Sequence, residues 1–281
     1  MQEFNSVEKH KFVKTHASLG GPGVTVGVAG MQSHGSHQFA PIVDSLPGDV
    51  LAYNAIGRRF NPEELIDNIV IDLEPYVENE DPVRFVGASM GGMLTPFIIQ
   101  ELRNRYEGVR PETLQALIVD APSGLESMAN RNAYLLGNRA IASALESIPP
   151  WVTAPVWLPA NNEITVPSTL LSSPDNYKNQ VRRSTAQRLS GFALSLWADK
   201  INWMASVGRN GTLKDACRSH DQVDTTYVVC TRRNKQVKQP RAVEDWDRWV
   251  DSRRAYVNAG HCAFHQNNEE FVEFFDNFDF I

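Results

Sequence analysis

The sequence predicts an α/β protein: a mostly parallel, doubly wound sheet with a helical insertion. Three observations predict it. Apolar runs that read as strands alternate with segments that read as helices, as in sheets wrapped by helices on both faces. The strand-like runs are continuous in apolar residues rather than alternating, as expected where both faces are covered. Finally, the alternation is broken once, by a stretch of about 100 residues, far longer than an ordinary connection.

The elements follow in order. The segment from Val7 to Ser18 alternates weakly and reads as an edge strand. Val24-Thr25-Val26-Gly27-Val28-Ala29-Gly30 reads as a strand buried on both faces and ending in glycine. Asp49 to Asn54 is a second short strand. Asn61-Pro62-Glu63-Glu64 is a helix start, with a cap residue, proline in the first turn and two acids behind it. Leu65, Ile66, Ile69, Val70 and Leu73 then share one helical face. Val83 to Val86 is a strand, Met93 to Ile99 lies in a helix, and Leu114 to Asp120 is a further strand. From about Ala121 to His220 the chain reads as helices and loops punctuated by Pro149, Pro150, Pro155, Pro159, Pro167 and Pro174, with Trp151, Trp157, Trp197 and Trp203 among them. Strand and helix return with Thr225 to Cys230, Arg241 to Val250, Ala255 to Ala259 and a Phe-rich amphipathic helix from Asn268 to Phe278. The expected division is a core of residues 1–120 and 221–281 and a helical cap of residues 121–220 over the ligand-binding edge of the sheet.

Composition narrows the function classes. The chain has 281 residues, 42% hydrophobic and 21% charged, as in an ordinary globular protein with a sizeable core. A net charge of -6 gives no support to nucleic-acid binding. Three scattered cysteines, Cys217, Cys230 and Cys262, form neither a disulfide framework nor a zinc pattern. The polar N-terminus shows no secretory signal, and no apolar run approaches a membrane span. A cytoplasmic location is the expectation, with no metal, cofactor or membrane partner implied. The oligomeric state is not legible.

The chemistry centres on Gly87-Ala88-Ser89-Met90-Gly91-Gly92, between a strand and a helix. A serine on a sharp strand-to-helix turn is forced into a strained conformation, and its Oγ stands clear of the sheet. Small residues on either side let the neighbouring backbone approach. The N–H of Met90, at the helix start, is placed to hold an oxyanion. A serine hydroxyl needs a base. Among the seven histidines, His261 fits best, because Gly260-His261 follows the last strand and precedes the last helix. His34, His37 and His265 are weaker alternatives.

These features together resemble the α/β-hydrolase superfamily. The matching stretches are Val28-Ala29-Gly30-Met31, Gly87 to Gly92 and Gly260-His261, in the family's order and with the insertion where the family places its cap. Ala29 stands where the family commonly has a structural histidine. The resemblance implies a capped, esterase-like serine hydrolase with Ser89 as nucleophile and His261 as base. The backbone N–H groups of Met31 and Met90 would form the oxyanion hole, and a small-molecule ester or related acyl compound would be the substrate. The family's acid commonly follows the penultimate strand, and here that position holds Asn234. Asparagine can orient a histidine but carries no charge, and loss of that charge in a serine triad costs roughly 10⁴ in turnover. Asp120, at the end of the strand between the Ser89 strand and the one before Asn234, is the alternative acid. A resemblance to haloalkane dehalogenases, some of which place their acid at this strand end, supports it. The serine nucleophile argues against the dehalogenase reaction itself. Asp224 and Asp245 are less well placed. A second function class also follows from Asn234: a hydrolase-fold protein that binds a small ligand with weak or no turnover.

Overall fold

The computed structural model describes residues 21–30, 38–53, 61–124, 202–218, 222–231, 239–250, 252–260 and 268–281, the single positions Ser127, Lys200 and Phe264, and the backbone of Lys11–Lys14. Its strands are β1 Lys11–Lys14, β2 Val24–Val28, β3 Asp49–Tyr53, β4 Val83–Ala88, β5 Leu114–Val119, β6 Asp224–Cys230 and β7 Ser252–Val257. Its main helices are α1 Pro62–Glu78, α2 Met90–Arg105, α3 Thr212–Arg218, α4 Gln239–Trp249 and α5 Asn268–Asp276. The strands form one sheet in the order β1-β3-β2-β4-β5-β6-β7. Only β1, on the edge, runs antiparallel, pairing Lys11 with Tyr53; β2 to β7 are parallel.

Burial explains the layering. Every residue of β2, β4 and β5 is buried, so both faces of the central sheet need covers. Successive side chains point to opposite faces. Val83 and Phe85 of β4, with Leu114, Ala116 and Ile118 of β5, join a core shared with α1, α2, α3 and α4. Val86, Ala88, Leu117 and Val119 join the opposite core, with Phe39, Ile42, Leu46, Phe264, Phe271 and Phe275. Phe264 and Phe271 meet edge-on at 4.9 Å between centroids, and Phe39 lies 5.5 Å from Phe264. The Phe-rich stripe of α5 is thus the inner surface of the second layer.

A polar row crosses the other end of the sheet. Thr25, Arg84, Gln115 and Asp224 are neighbours in register. Arg84 donates to Pro22 O and Ile281 O, and Gln115 donates to Asp224 and to Asp279 O. These bonds tie residues 279–281 to the sheet and satisfy donors that burial would otherwise strand.

The long interruption leaves the sheet after β5 and rejoins it at β6, but its returning end is already part of the core through Met204, Val207, Leu213 and Cys217. Most of residues 121–220 lie outside the described residues. Its two described ends touch: a Cβ added at Gly208 would fall 2.9 Å from Gly124 Cα, and one at Gly124 3.2 Å from Gly208 Cα. The returning end is helical over residues 202–209 and in α3. Element limits differ slightly from the sequence reading. β7 begins at Ser252 because Arg253 and Arg254 extend the ladder from exposed positions, bonded to Asp224 and Asp247. α5 ends at Asp276 rather than Phe278.

Asn61 caps α1 as its position predicts, its side chain accepting the Glu64 N–H at 3.2 Å. Asn61→Ala should lower stability by about 1 kcal/mol in urea unfolding. An unchanged midpoint would show that the cap contributes nothing.

Candidate active site

Ser89 occupies a backbone conformation that few side chains accept, with φ 54° and ψ −120°. The surrounding chain over-determines it. Its N–H donates to Val119 O of β5 at 2.9 Å, and its carbonyl accepts from Gly92 N at 3.0 Å. From Val83 to Pro96 every residue is buried except Ser89, which is half-buried. Ser89 is therefore the one residue from Val83 to Pro96 that is not sealed, at the point where strand turns to helix.

The flanking glycines are explained by what touches them. A Cβ on Gly91 would fall 1.9 Å from Val28 O, because the start of α2 presses on the end of β2. On Gly92 it would meet Ala121 Cβ at 2.6 Å and Ile118 Cγ2 at 2.9 Å, on the β5 side. The helix start is thus wedged between two strand ends, and no side chain fits. Met90, the first residue of α2, is fully buried. Backbone N–H groups in a first helical turn have no acceptor one turn back, which is the property an oxyanion site uses.

Two further segments converge on Ser89. Gly30, just beyond β2, abuts it: a Cβ there would lie 3.2 Å from Ser89 Cβ. The Gly30 N–H is fixed by Gln38 Oε1 at 2.7 Å, a buried bond between residues eight apart in sequence. On the other side, β4 and β5 pair Ala88 with Val119, so the next residues, Ser89 and Asp120, follow adjacent strand ends. Asp120 is fully buried and also left-handed, with φ 48°. Its N–H donates to Val228 O of β6 at 3.0 Å. The strand ending at Asp120 therefore lies between the Ser89 strand and the one leading to Asn234, as expected.

Met31, Asn234 and His261 lie outside the described residues, as do His34, His37 and His265. The chain on either side of His261 is fixed. Ala259 and Gly260 are buried, Ala259 N donates to Val257 O at 2.9 Å, and Phe264 is locked among Phe39, Phe271 and Phe275. The two other acids have structural occupations. Asp224 opens β6 at the far end of the sheet, bonded to Gln115 and Arg253. Asp245 on α4 accepts from Ser123 Oγ at 2.6 Å. Gln38, Tyr227 and Trp246 escaped the sequence reading. Gln38 lies in a stretch of sequence with no periodic apolar pattern. The two aromatics read as ordinary core, although each carries a polar group that needs a partner when buried.

A profile of the alpha/beta hydrolase family matches residues 26–274. The chain belongs to the alpha/beta hydrolase family. Solved structures agree over nearly the whole length. The enol-lactonase from Burkholderia xenovorans LB400 superposes with a TM-score of 0.58 at 13% identity, covering 94% of each chain. MenH from S. aureus gives 0.58 at 11% identity, covering 95% of this chain and 96% of its own. The meta-cleavage product hydrolase CumD from Pseudomonas fluorescens IP01 gives 0.55 at 12% identity, over 94% and 92%. At these identities the likeness is one of fold. No match was found among curated proteins. Among the described residues of this hydrolase-family chain, no helix is long and apolar enough to cross a membrane, and no cluster of metal-ligating side chains occurs.

Gly91→Ala should destabilise the fold by about 3 kcal/mol or more, because neither backbone at the contact can yield freely. Gly108→Ala, where a Cβ would meet nothing within 4 Å, should shift stability by no more than about 0.5 kcal/mol. Equal urea midpoints for the two variants would contradict the wedge at the helix start.

Proposed function

We propose that this alpha/beta hydrolase is a serine hydrolase of carboxylic esters or closely related acyl bonds. The observation that carries the reading is the half-buried Ser89 on its left-handed turn, inside an otherwise buried stretch. Ser89 Oγ attacks the acyl carbon while its proton passes to Nε2 of His261. The oxyanion that forms is held by the N–H groups of Met31 and Met90. The bond to the leaving alcohol breaks, and the alcohol takes the proton from His261. Water then adds to the acyl-enzyme as its proton passes to His261; the Ser89 Oγ–acyl bond breaks, His261 returns the proton to Ser89 Oγ, and the acid leaves.

Asp120 is the acid in this reading. It is buried at the strand end beside Ser89, where a carboxylate can stabilise the imidazolium formed on His261. Asn234 would then contribute no charge. The enol-lactonase among the structural neighbours is named for a lactone, an internal ester, and the ester reading agrees with it.

A fluorophosphonate probe and a panel of p-nitrophenyl esters of graded acyl length test the proposal. The parent should label at Ser89 and hydrolyse at least one ester. Ser89→Ala should lose both while keeping its unfolding midpoint. A folded parent that neither labels nor hydrolyses would favour the ligand-binding alternative instead.

The acid is tested by two substitutions that move oppositely. With Asp120 as acid, Asp120→Asn should cost about 10⁴ in kcat, and Asn234→Asp should gain nothing. With Asn234 as the orienting group, Asn234→Asp should raise kcat and Asp120→Asn should be nearly silent.

A further inference from the structure

The turn that carries Asp120 is held more tightly than the sheet requires. One residue beyond it, the buried carbonyl of Ala121 accepts two hydrogen bonds. Tyr227 Oη donates at 2.9 Å from β6, and Trp246 Nε1 donates at 2.9 Å from α4. Both aromatic side chains are fully buried and stacked, with centroids 5.9 Å apart and planes 26° apart. A carbonyl oxygen has two lone pairs, and both are used here; one donor would have satisfied it. The Asp120 N–H is fixed by Val228 O, the residue after Tyr227. Three residues further on, Ser123 Oγ donates to Asp245, the residue before Trp246. Consecutive residues of β6 and of α4 therefore grip residues 120–123 from two elements.

We infer that Tyr227 and Trp246 are positioning residues of the hydrolase: their paired bonds to the Ala121 carbonyl hold the left-handed turn that presents the Asp120 carboxylate. A non-glycine residue at φ 48° persists only where its surroundings enforce it. Without the clamp, Asp120 relaxes toward the ordinary backbone regions and its carboxylate swings with it. Burial, and then the negative charge of Asp120, push the Tyr227 phenol well above its ordinary range. The phenol is thereby held as a neutral donor to the Ala121 carbonyl. The inference rests on the proposed role of Asp120.

The test is the kinetics of Ser89 capture by a fluorophosphonate probe, which needs no knowledge of the substrate. The Ser89 Oγ–P bond forms, the P–F bond breaks, fluoride leaves, and the serine proton goes to the base. The saturating rate, kinact, reports activation of Ser89, and the half-saturating concentration, KI, reports binding. Tyr227→Phe removes only the hydroxyl and leaves Trp246 on the carbonyl. It should lower kinact by about tenfold with KI within about twofold of the parent. In an Asp120→Asn background the same change should have no further effect, because the clamp acts through Asp120. Trp246→Phe should show the same split and the same dependence on Asp120, and it carries the test if Tyr227→Phe does not fold. Parental kinact in these variants, beside a slow Asp120→Asn, overturns the inference alone. A loss that persists undiminished in the Asp120→Asn background overturns it too, by assigning the residues a purely structural part. Parental capture by Asp120→Asn overturns the acid assignment beneath it, and an unlabelled parent overturns the hydrolase reading.

Discussion

The close approach of the α2 N-terminus to the ends of β2 and β5 is the constraint on which the rest depends. Gly91 lies against the Val28 carbonyl and Gly92 against Ile118 and Ala121. With the helix start driven that far between the strands, the residue before it has no room for ordinary helical or extended geometry. It takes φ 54°. The strain is held by the Val119 carbonyl and by the Gly92 N–H, so it is distributed over β4, β5 and α2 rather than stored at one residue. The same wedge brings Gly30 against Ser89, so one packing contact assembles three of the chain segments that meet at the site.

The sheet makes that wedge rigid. Alternate residues of β4 and β5 feed two separate cores, one beneath α1 to α4 and one beneath α5. Shifting either strand by one residue would turn both sets onto the wrong face. The register that sets Ala88 opposite Val119, and so Ser89 beside Asp120, is therefore enforced by the whole apolar interior. The polar row of Thr25, Arg84, Gln115 and Asp224 adds a second check at the far end, because its hydrogen bonds form only in that alignment.

Much of this was legible in the sequence, and the parts that were not share a cause. The buried run Val24–Val28, the capped start of α1 and the strand–serine–helix turn are local patterns, since their determinants lie within a few residues of one another. The edge strand near the N-terminus was likewise readable from its weak alternation; its antiparallel direction was not. The placement of Asp120 beside Ser89 needed only the strand order, which short right-handed crossovers largely dictate. Gln38, Tyr227 and Trp246 were out of reach. Each bonds to a backbone atom, of Gly30 or Ala121, and a backbone partner leaves no residue type to recognise. The choice between Asp120 and Asn234 is of the same kind. Both residues are plausible in isolation, and only the environment of the histidine separates them.

The contact between Gly124 and Gly208 bears on how such a chain diversifies. Because the two ends of the interruption touch, the core sees it as a loop already closed, whatever its contents. The entropy of closing a loop grows only with the logarithm of its length, so residues can be gained, lost or rewritten inside it at little thermodynamic cost to the sheet. Selection can therefore reshape the interruption without retuning the turn that carries Ser89. The glycine pair closes the sheet's interruption at its base, and what lies between the two glycines is free to vary in length.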